Sequence, residues 1–286
     1  MTQRTLCMIV GSAYSGSTLL TALLDRNRDV STIGEAASLY DPQSVKRGTH
    51  CWRCGCAVKD CKRWQQWDRE QPFYSFALAT NPGRVIVDSS KDPAKMIEQW
   101  HGGGAYPKTI KAIHLSKTPA EQVASYYRHQ RWKTPIGQSE PWTAEECVDH
   151  WVLTNYWYVG YLRQAKVSAL RVTYADLTQR TDETLQRIAG FLGIDSEWGD
   201  TDSHTLGGNP AVASIESTNQ KKYDDEWRAG YLNGKYADKP DDGLQVRYDD
   251  SWKELPEEFA AAATAATDDR AEEVLPLMQL LGHNSG

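Results

Sequence analysis

The segment Gly11-Ser12-Ala13-Tyr14-Ser15-Gly16-Ser17-Thr18 has the spacing G-x4-G-x-T, the frame of a loop that holds phosphate. Glycines at these positions let backbone N–H groups converge on an anion at the start of a helix, where the helix dipole adds to the attraction. A loop that transfers the terminal phosphate of ATP or GTP carries lysine where this chain has Ser17. The anion-binding part of the motif is therefore present, and the lysine that reaches the transferring phosphates is not. The same residues also read as a Ser/Gly turn that caps a helix through Ser15 or Ser17. A second pair supports an anion site. Lys117 stands at a strand end, and Ser125 lies one to two turns into the next helix, eight residues on. A cation and a hydroxyl so placed can close on one phosphate, the lysine acting as a point charge rather than a bidentate fork. Without such a ligand, Lys117 is a solvated surface lysine.

Six cysteines carry a separate chemistry. Cys51, Cys54, Cys56 and Cys61 follow C-x2-C-x-C-x4-C. Four thiolates can hold a structural zinc, but zinc sites usually join two separated C-x2-C knuckles, and this cluster is more compressed. An insertion tied by thiols or disulfides is the first expectation and zinc the second. Cys7 and Cys147 are isolated and read as small buried hydrophobes.

The elements that must position these residues follow from periodicity. Thr5–Val10 is a short apolar run of the kind a buried parallel strand needs, and it leads through the glycine loop into a helical pattern on Leu19, Leu20, Leu23 and Leu24. Further strands are predicted at Arg84–Val87, Thr109–Leu115 and Ala169–Val172. Helices are predicted at Ala94–Trp100, Pro119–Arg128, Ala144–Gln164, Thr181–Leu192, Pro256–Thr267 and Arg270–Leu281. Alternation of this kind implies an α/β fold with a central parallel sheet flanked by helices. The expected organisation is a single domain over residues 1–286. Residues 40–82 form a Cys- and Trp-rich insertion, and residues 195–250 form a polar, loop-rich segment over the site.

Composition narrows the function. The 286 residues carry a formal charge of −6, which disfavours a nucleic-acid binder. No apolar run approaches the ~20 residues of a membrane span. The start of the chain lacks a secretory leader, so a cytoplasmic, reducing compartment is expected. Eleven Trp and fourteen Tyr stand against four Phe, a balance that favours large amphipathic surfaces.

Several segments together resemble the PAPS-dependent sulfotransferases of the bacterial, carbohydrate and tyrosyl-protein type. Tyr14-Ser15-Gly16-Ser17-Thr18-Leu19-Leu20 looks like their 5′-phosphosulfate loop, in which S-G-S/T-T replaces the nucleotide-hydrolase sequence. Lys117-Thr118-Pro119 with Ser125 resembles the R-x-P and plus-eight serine that hold the 3′-phosphate of the donor, with lysine in place of the usual arginine. Val87-Asp88-Ser89-Ser90-Lys91-Asp92-Pro93 resembles their D-S-S-K or N-K-D-P segment. Ile33-Gly34-Glu35 resembles the G-E after the first helix, and Arg171–Leu177 their R-Y-E-D-L. Gly208-Asn209, in the run His204–Pro210, resembles a G-N loop. Cys54-Gly55-Cys56 before Trp64 resembles a compact cysteine cluster of bacterial members. One departure stands out: Tyr14 occupies the position where the family usually has Arg or Lys.

The resemblance implies a P-loop-like sulfotransferase fold and a reaction in which a sulfonate passes from PAPS to an acceptor, leaving PAP. It implies that Tyr14, Ser15, Gly16, Ser17, Thr18 and Leu19 cradle the 5′-phosphate, and that Lys117 and Ser125 hold the 3′-phosphate. Lys91 would stabilise charge on the bridging oxygen, and Glu35 would be the base. His114 and His204 are the rival bases, although a histidine inside an apolar strand, as His114 is, more often satisfies the core. Positioning and electrostatics carry such a transfer, and no metal is obligatory. The expected acceptor is a hydroxyl, or in second place an amine, on a small molecule or glycan. Trp52, Trp64 and Trp67 are expected to line its cleft. The rival readings are a P-loop kinase or nucleotide hydrolase, and a non-catalytic nucleotide-binding protein of the same fold.

Overall fold

The computed structural model describes residues 4–37, 64–68, 70–81, 83–102, 108–131, 142–198 and 255–283. The apolar run at the start forms β1 (Arg4–Val10), buried from Thr5 onward. The chain turns through the glycine loop into α1 (Ser17–Leu24), whose four leucines are buried. β2 (Val30–Thr32) follows, too short for a periodic signal. In the stretch read as an insertion, the described residues contain one 3-10 turn, Trp64–Gln66, and α2 (Phe73–Thr80). Next come β3 (Val85–Asp88), α3 (Pro93–Gly102), β4 (Lys108–Ser116), α4 (Pro119–Arg131) and α5 (Ala144–Gln164). β5 (Ser168–Thr173), α6 (Tyr174–Gln179), α7 (Thr181–Leu192), α8 (Glu257–Asp269) and α9 (Ala271–Leu281) complete the described elements.

The strands form a sheet in the order β2-β3-β1-β4-β5. β3 runs parallel to β1, with Thr5 opposite Val85 and Met8 opposite Asp88. It also runs parallel to β2, with Val30 opposite Val85. Parallel neighbours need crossover connections, which the intervening helices supply, so the predicted α/β architecture is the one observed. The order reverses at β1, with β3 on one side and β4 on the other. Loops leaving such a fork are where α/β sheets bind ligands.

Two compact units can be distinguished among the described residues, and the chain passes between them within β1, α1, β4 and α7. The first holds residues 4–9, the described part of 18–111, and 185–198. Its core joins the strands to an aromatic cluster. Trp64 stacks on Phe73 at 5.7 Å, and Trp67 meets Phe73 edge-on at 5.1 Å. Both indoles are buried, which corrects the expectation that Trp64 and Trp67 line a cleft. They are core residues that seat α2.

The second unit holds residues 10–17, the described part of 112–184, and 255–283. Its long helix α5 starts at a capping box. The Thr143 hydroxyl accepts from the Glu146 amide, and the Glu146 carboxylate accepts from the Thr143 amide. Cys147, Val148, Trp151, Val152, Tyr158 and Leu162 form its buried stripe at helical spacing. Ala263, Ala266, Val274, Leu277 and Leu281 of α8 and α9 pack onto that stripe. Two further aromatics of α5 face outward, Tyr156 at 41% and Trp157 at 47% exposed, and Tyr161, stacked on Trp157, is half-buried. Cys7 and Cys147 are buried in their respective units, where loss of solvent pushes each thiol up to about 12.

Candidate functional site

Among the described residues, the candidate site residues fall into two groups, one in each unit. In the second unit the glycine loop bends in ways that only its glycines permit. Gly11 has φ +143°, and a Cβ there would lie 2.1 Å from the Leu115 carbonyl oxygen. Gly16 has φ +100°, and a Cβ there would lie 2.7 Å from Cδ2 of Tyr174. Both glycines therefore let the backbone approach its neighbours closely. The Ser15 amide donates to the Ser12 carbonyl at 3.2 Å, and Gln122 Nε2 of α4 donates to the Ala13 carbonyl at 2.7 Å.

Ser15 is buried, and its hydroxyl has no hydrogen-bond partner among the described residues. A buried hydroxyl left so loses ~1–3 kcal/mol, a penalty removed by an anion that accepts from it. The residues thus fit an anionic group. Tyr14, the departure from the usual basic residue, is left-handed at φ 66° and 37% exposed. Its ring meets Tyr126 edge-on at 6.0 Å.

The plus-eight pair lies in the same unit and is brought together. Lys117, only 3% exposed, donates from Nζ to Ser125 Oγ at 2.9 Å, and Ser125 Oγ donates in turn to the Glu121 carbonyl at 2.9 Å. The Lys117 ammonium also lies 4.3 Å from the centroid of the Tyr174 ring, the same ring that abuts Gly16. The backbone at Lys117 is held as well, because Trp151 Nε1 donates to its carbonyl at 2.9 Å. Glu121 caps the start of α4 by accepting from the Thr118 amide at 2.8 Å and from its hydroxyl. Lys117 is thus a buried, fixed cation rather than a surface lysine. The family resemblance marked Lys117 and Ser125; Tyr174 stood out only within the Arg171–Leu177 segment, and nothing in the sequence marked Trp151 as a support.

In the first unit, Lys91 follows β3 and Glu35 follows β2. Lys91 Nζ donates to Glu35 Oε1 at 2.6 Å and to the Ser89 carbonyl at 3.2 Å. Lys91 is left-handed at φ 61°, a conformation a lysine adopts only when its surroundings impose it. Its side chain is 17% exposed and that of Glu35 60%. An ion pair with one partner this open is worth little as stability. Asp88 is fully buried and caps the turn, its Oδ1 accepting from the Ser90 amide at 2.8 Å.

Of the rival bases, His114 is 1% exposed, and its Nε2 lies 2.9 Å from Asn155 Oδ1. Burial lowers its pKa to about 4, against the smaller opposing effect of the Asn155 bond. It is a neutral core histidine. His283, of which the sequence reading took no note, is also buried, with Nε2 2.9 Å from Ser116 Oγ, and burial lowers its pKa too. His204, Gly208-Asn209, Trp52 and the cysteines Cys51, Cys54, Cys56 and Cys61 lie outside the described residues. Among the described residues no cluster of metal-ligating side chains occurs, and no helix is long and apolar enough to cross a membrane.

Comparison with known proteins gives the family and the fold. The family model for the sulfotransferase domain matches residues 4–223. No curated protein matches the chain in sequence. Among solved structures, the chain is similar to the sulfotransferase domain from the curacin biosynthetic pathway. The identity is 18% over 94% of this chain and 98% of that one, with a TM-score of 0.52. It is similar also to the sulfotransferase domain from the Synechococcus PCC 7002 olefin synthase, at 18% identity over 78% of this chain and 96% of that one, with a TM-score of 0.51. At this identity the likeness to solved structures is one of fold.

Proposed function

From the premise that the chain belongs to the sulfotransferase domain family, we propose that it takes a sulfonate from PAPS and places it on a small-molecule or carbohydrate-like acceptor. The acceptor group is a hydroxyl, with an amine as second choice. The observation that carries this reading is the contact of Lys117 Nζ with Ser125 Oγ at 2.9 Å. A buried ammonium bound to a hydroxyl eight residues on is a ready site for a dianionic phosphate, the group that distinguishes PAPS from ATP. The Ser17 position supports the same choice, since a kinase would need lysine there.

The donor supplies an activated sulfonate on a phosphate leaving group. Backbone N–H groups and hydroxyls from Tyr14 to Leu19 bind the 5′-phosphate, with the Ser15 hydroxyl gaining the acceptor it lacks. Lys117 and Ser125 bind the 3′-phosphate. Glu35 takes the proton of the acceptor hydroxyl as the new S–O bond forms, and Lys91 takes up the charge left on the phosphate oxygen as the old S–O bond breaks. Lys91 Nζ already donates to Glu35 and to the Ser89 carbonyl, which keeps the ammonium beside the proposed base.

Calorimetric titration with PAP in buffer containing a chelator tests the reading. Micromolar binding without metal is expected. Binding of ATP·Mg²⁺ with no response to PAP would instead favour the kinase or hydrolase reading. PAP binding with no transfer from labelled PAPS across a broad acceptor panel would favour the non-catalytic one.

A further inference from the structure

The turn that carries Lys91 is joined to α2 and to the Glu35 segment by one chain of hydrogen bonds, all inside the first unit. The Tyr74 hydroxyl, from α2, donates to Asp88 Oδ2 at 2.6 Å. Oδ1 of the same carboxylate accepts from the Ser90 amide at 2.8 Å and from the Ser90 hydroxyl. Ser90 Oγ accepts in turn from the Ala37 amide at 2.7 Å. A backbone bond runs alongside, from the Ser89 amide to the Gly34 carbonyl at 2.9 Å. Tyr74 is 1% and Asp88 0% exposed, so the charge at the centre of the chain is shielded from solvent and held by directed donors.

We infer that Tyr74, Asp88 and Ser90 are positioning residues that set Lys91 and Glu35 at the separation the transfer needs. The chain ends two residues beyond Glu35, at Ala37, and one residue before Lys91, at Ser90. It therefore fixes both backbones that carry the ion pair, and it holds Lys91 at its left-handed φ of 61°. Tyr74 reaches this position because its ring is wedged between Phe73 at 5.2 Å and Trp100 at 5.5 Å. The stretch that inserts before β3 thus supplies a brace for the proposed catalytic turn. This inference rests on the roles proposed above for Lys91 and Glu35, whereas the brace itself can be tested without them.

Three variants separate positioning from folding: Tyr74→Phe, which removes one hydroxyl and leaves the ring; Ser90→Ala; and the conservative Ser90→Thr. Two readouts are followed. In amide hydrogen exchange by NMR, Ser90→Ala is expected to speed exchange at Ala37 by about tenfold or more, and Ser90→Thr to restore protection, with β1 amides from Leu6 to Met8 unchanged in both. In steady-state kinetics, Tyr74→Phe and Ser90→Ala are each expected to lower kcat about tenfold with KM for PAPS within about twofold, and Ser90→Thr to recover most of kcat. Unchanged exchange at Ala37 in Ser90→Ala overturns the brace. So does a loss of β1 protection together with kcat and donor affinity, which marks a general folding role. If exchange responds as expected but the unaltered protein transfers no sulfonate, the brace stands and the functional reading fails. If exchange responds and kcat does not, the bonds exist but do not position the pair, and the inference fails while the functional reading stands.

Discussion

The two lysines follow strand ends in different units, and they are held in opposite ways. Lys117 is buried, its ammonium on a hydroxyl and over an aromatic ring, its carbonyl fixed by Trp151. Lys91 sits in a left-handed backbone, pairs with a carboxylate that is 60% exposed, and leans on a brace from a neighbouring helix. A cation that must only bind an anion gains from being preorganised, because nothing has to move when the ligand arrives. A cation that must share hydrogen bonds with a base and with a charge that develops in the transition state gains from an open, exchangeable partner. The difference fits the proposed roles, binding for Lys117 and chemistry for Lys91.

Mutation can break that assignment. The largest effect is expected from Lys91→Ala, which should lower kcat by about 10³-fold while the dissociation constant for PAP stays within about threefold. Stopped-flow or steady-state transfer assays paired with calorimetry read both numbers. A loss shared equally between kcat and PAP affinity would erase the distinction between the two lysines.

A smaller effect concerns what Lys117 rests on. His114, in β4, reaches Lys117 through a relay: its Nε2 lies against Asn155 Oδ1, Asn155 Nδ2 donates to the Trp151 carbonyl, and the Trp151 indole holds the Lys117 carbonyl. Folded His114 stays neutral down to about pH 4, mainly because it is buried, whereas an unfolded histidine takes a proton near its ordinary value of 6.5. Between these values the unfolded state binds more protons, so stability is lost as pH falls. From pH 7.5 to pH 5 the loss from this residue should be about 2 kcal/mol. The lowered pKa values of His150 and His283 act in the same direction. Urea unfolding at the two pH values checks the fall, and His114→Gln should make it shallower. An equally steep fall in that variant would show that His114 is not the buried group responsible.

Much of this arrangement was legible in the sequence. α5 and α7 match the predicted bounds because each has an apolar stripe at helical spacing. The backbone of the glycine loop could be read because the positive φ of Gly11 and Gly16 favours glycine. The meeting of Lys117 with Ser125 followed from the family resemblance, which a strand end and one to two helical turns can accommodate. α2 escaped notice because Phe73, Tyr74, Phe76, Ala77 and Leu78 are all buried, which leaves no polar face to give it a period. α6 was missed because it is a six-residue helix that starts directly where β5 ends. The Tyr74–Asp88 bond was invisible for a different reason: it joins a helix to a strand end, and no spacing rule relates the two. Trp64 and Trp67 show the converse error. Tryptophans in an insertion suggested a cleft, but Phe73 and Phe76 gave them a core to enter.

The central claim, that Lys117 and Ser125 hold the phosphate that sets this donor apart, has a direct test. PAP and adenosine 5′-phosphate differ by the 3′-phosphate alone, so their affinities are compared by calorimetry in metal-free buffer for the unaltered protein and for Lys117→Ala. The unaltered protein should prefer PAP by about 100-fold or more, and Lys117→Ala should reduce that preference to below about tenfold by weakening PAP binding alone. Equal affinity of the unaltered protein for the two nucleotides, or a preference that survives loss of Lys117, would contradict the account.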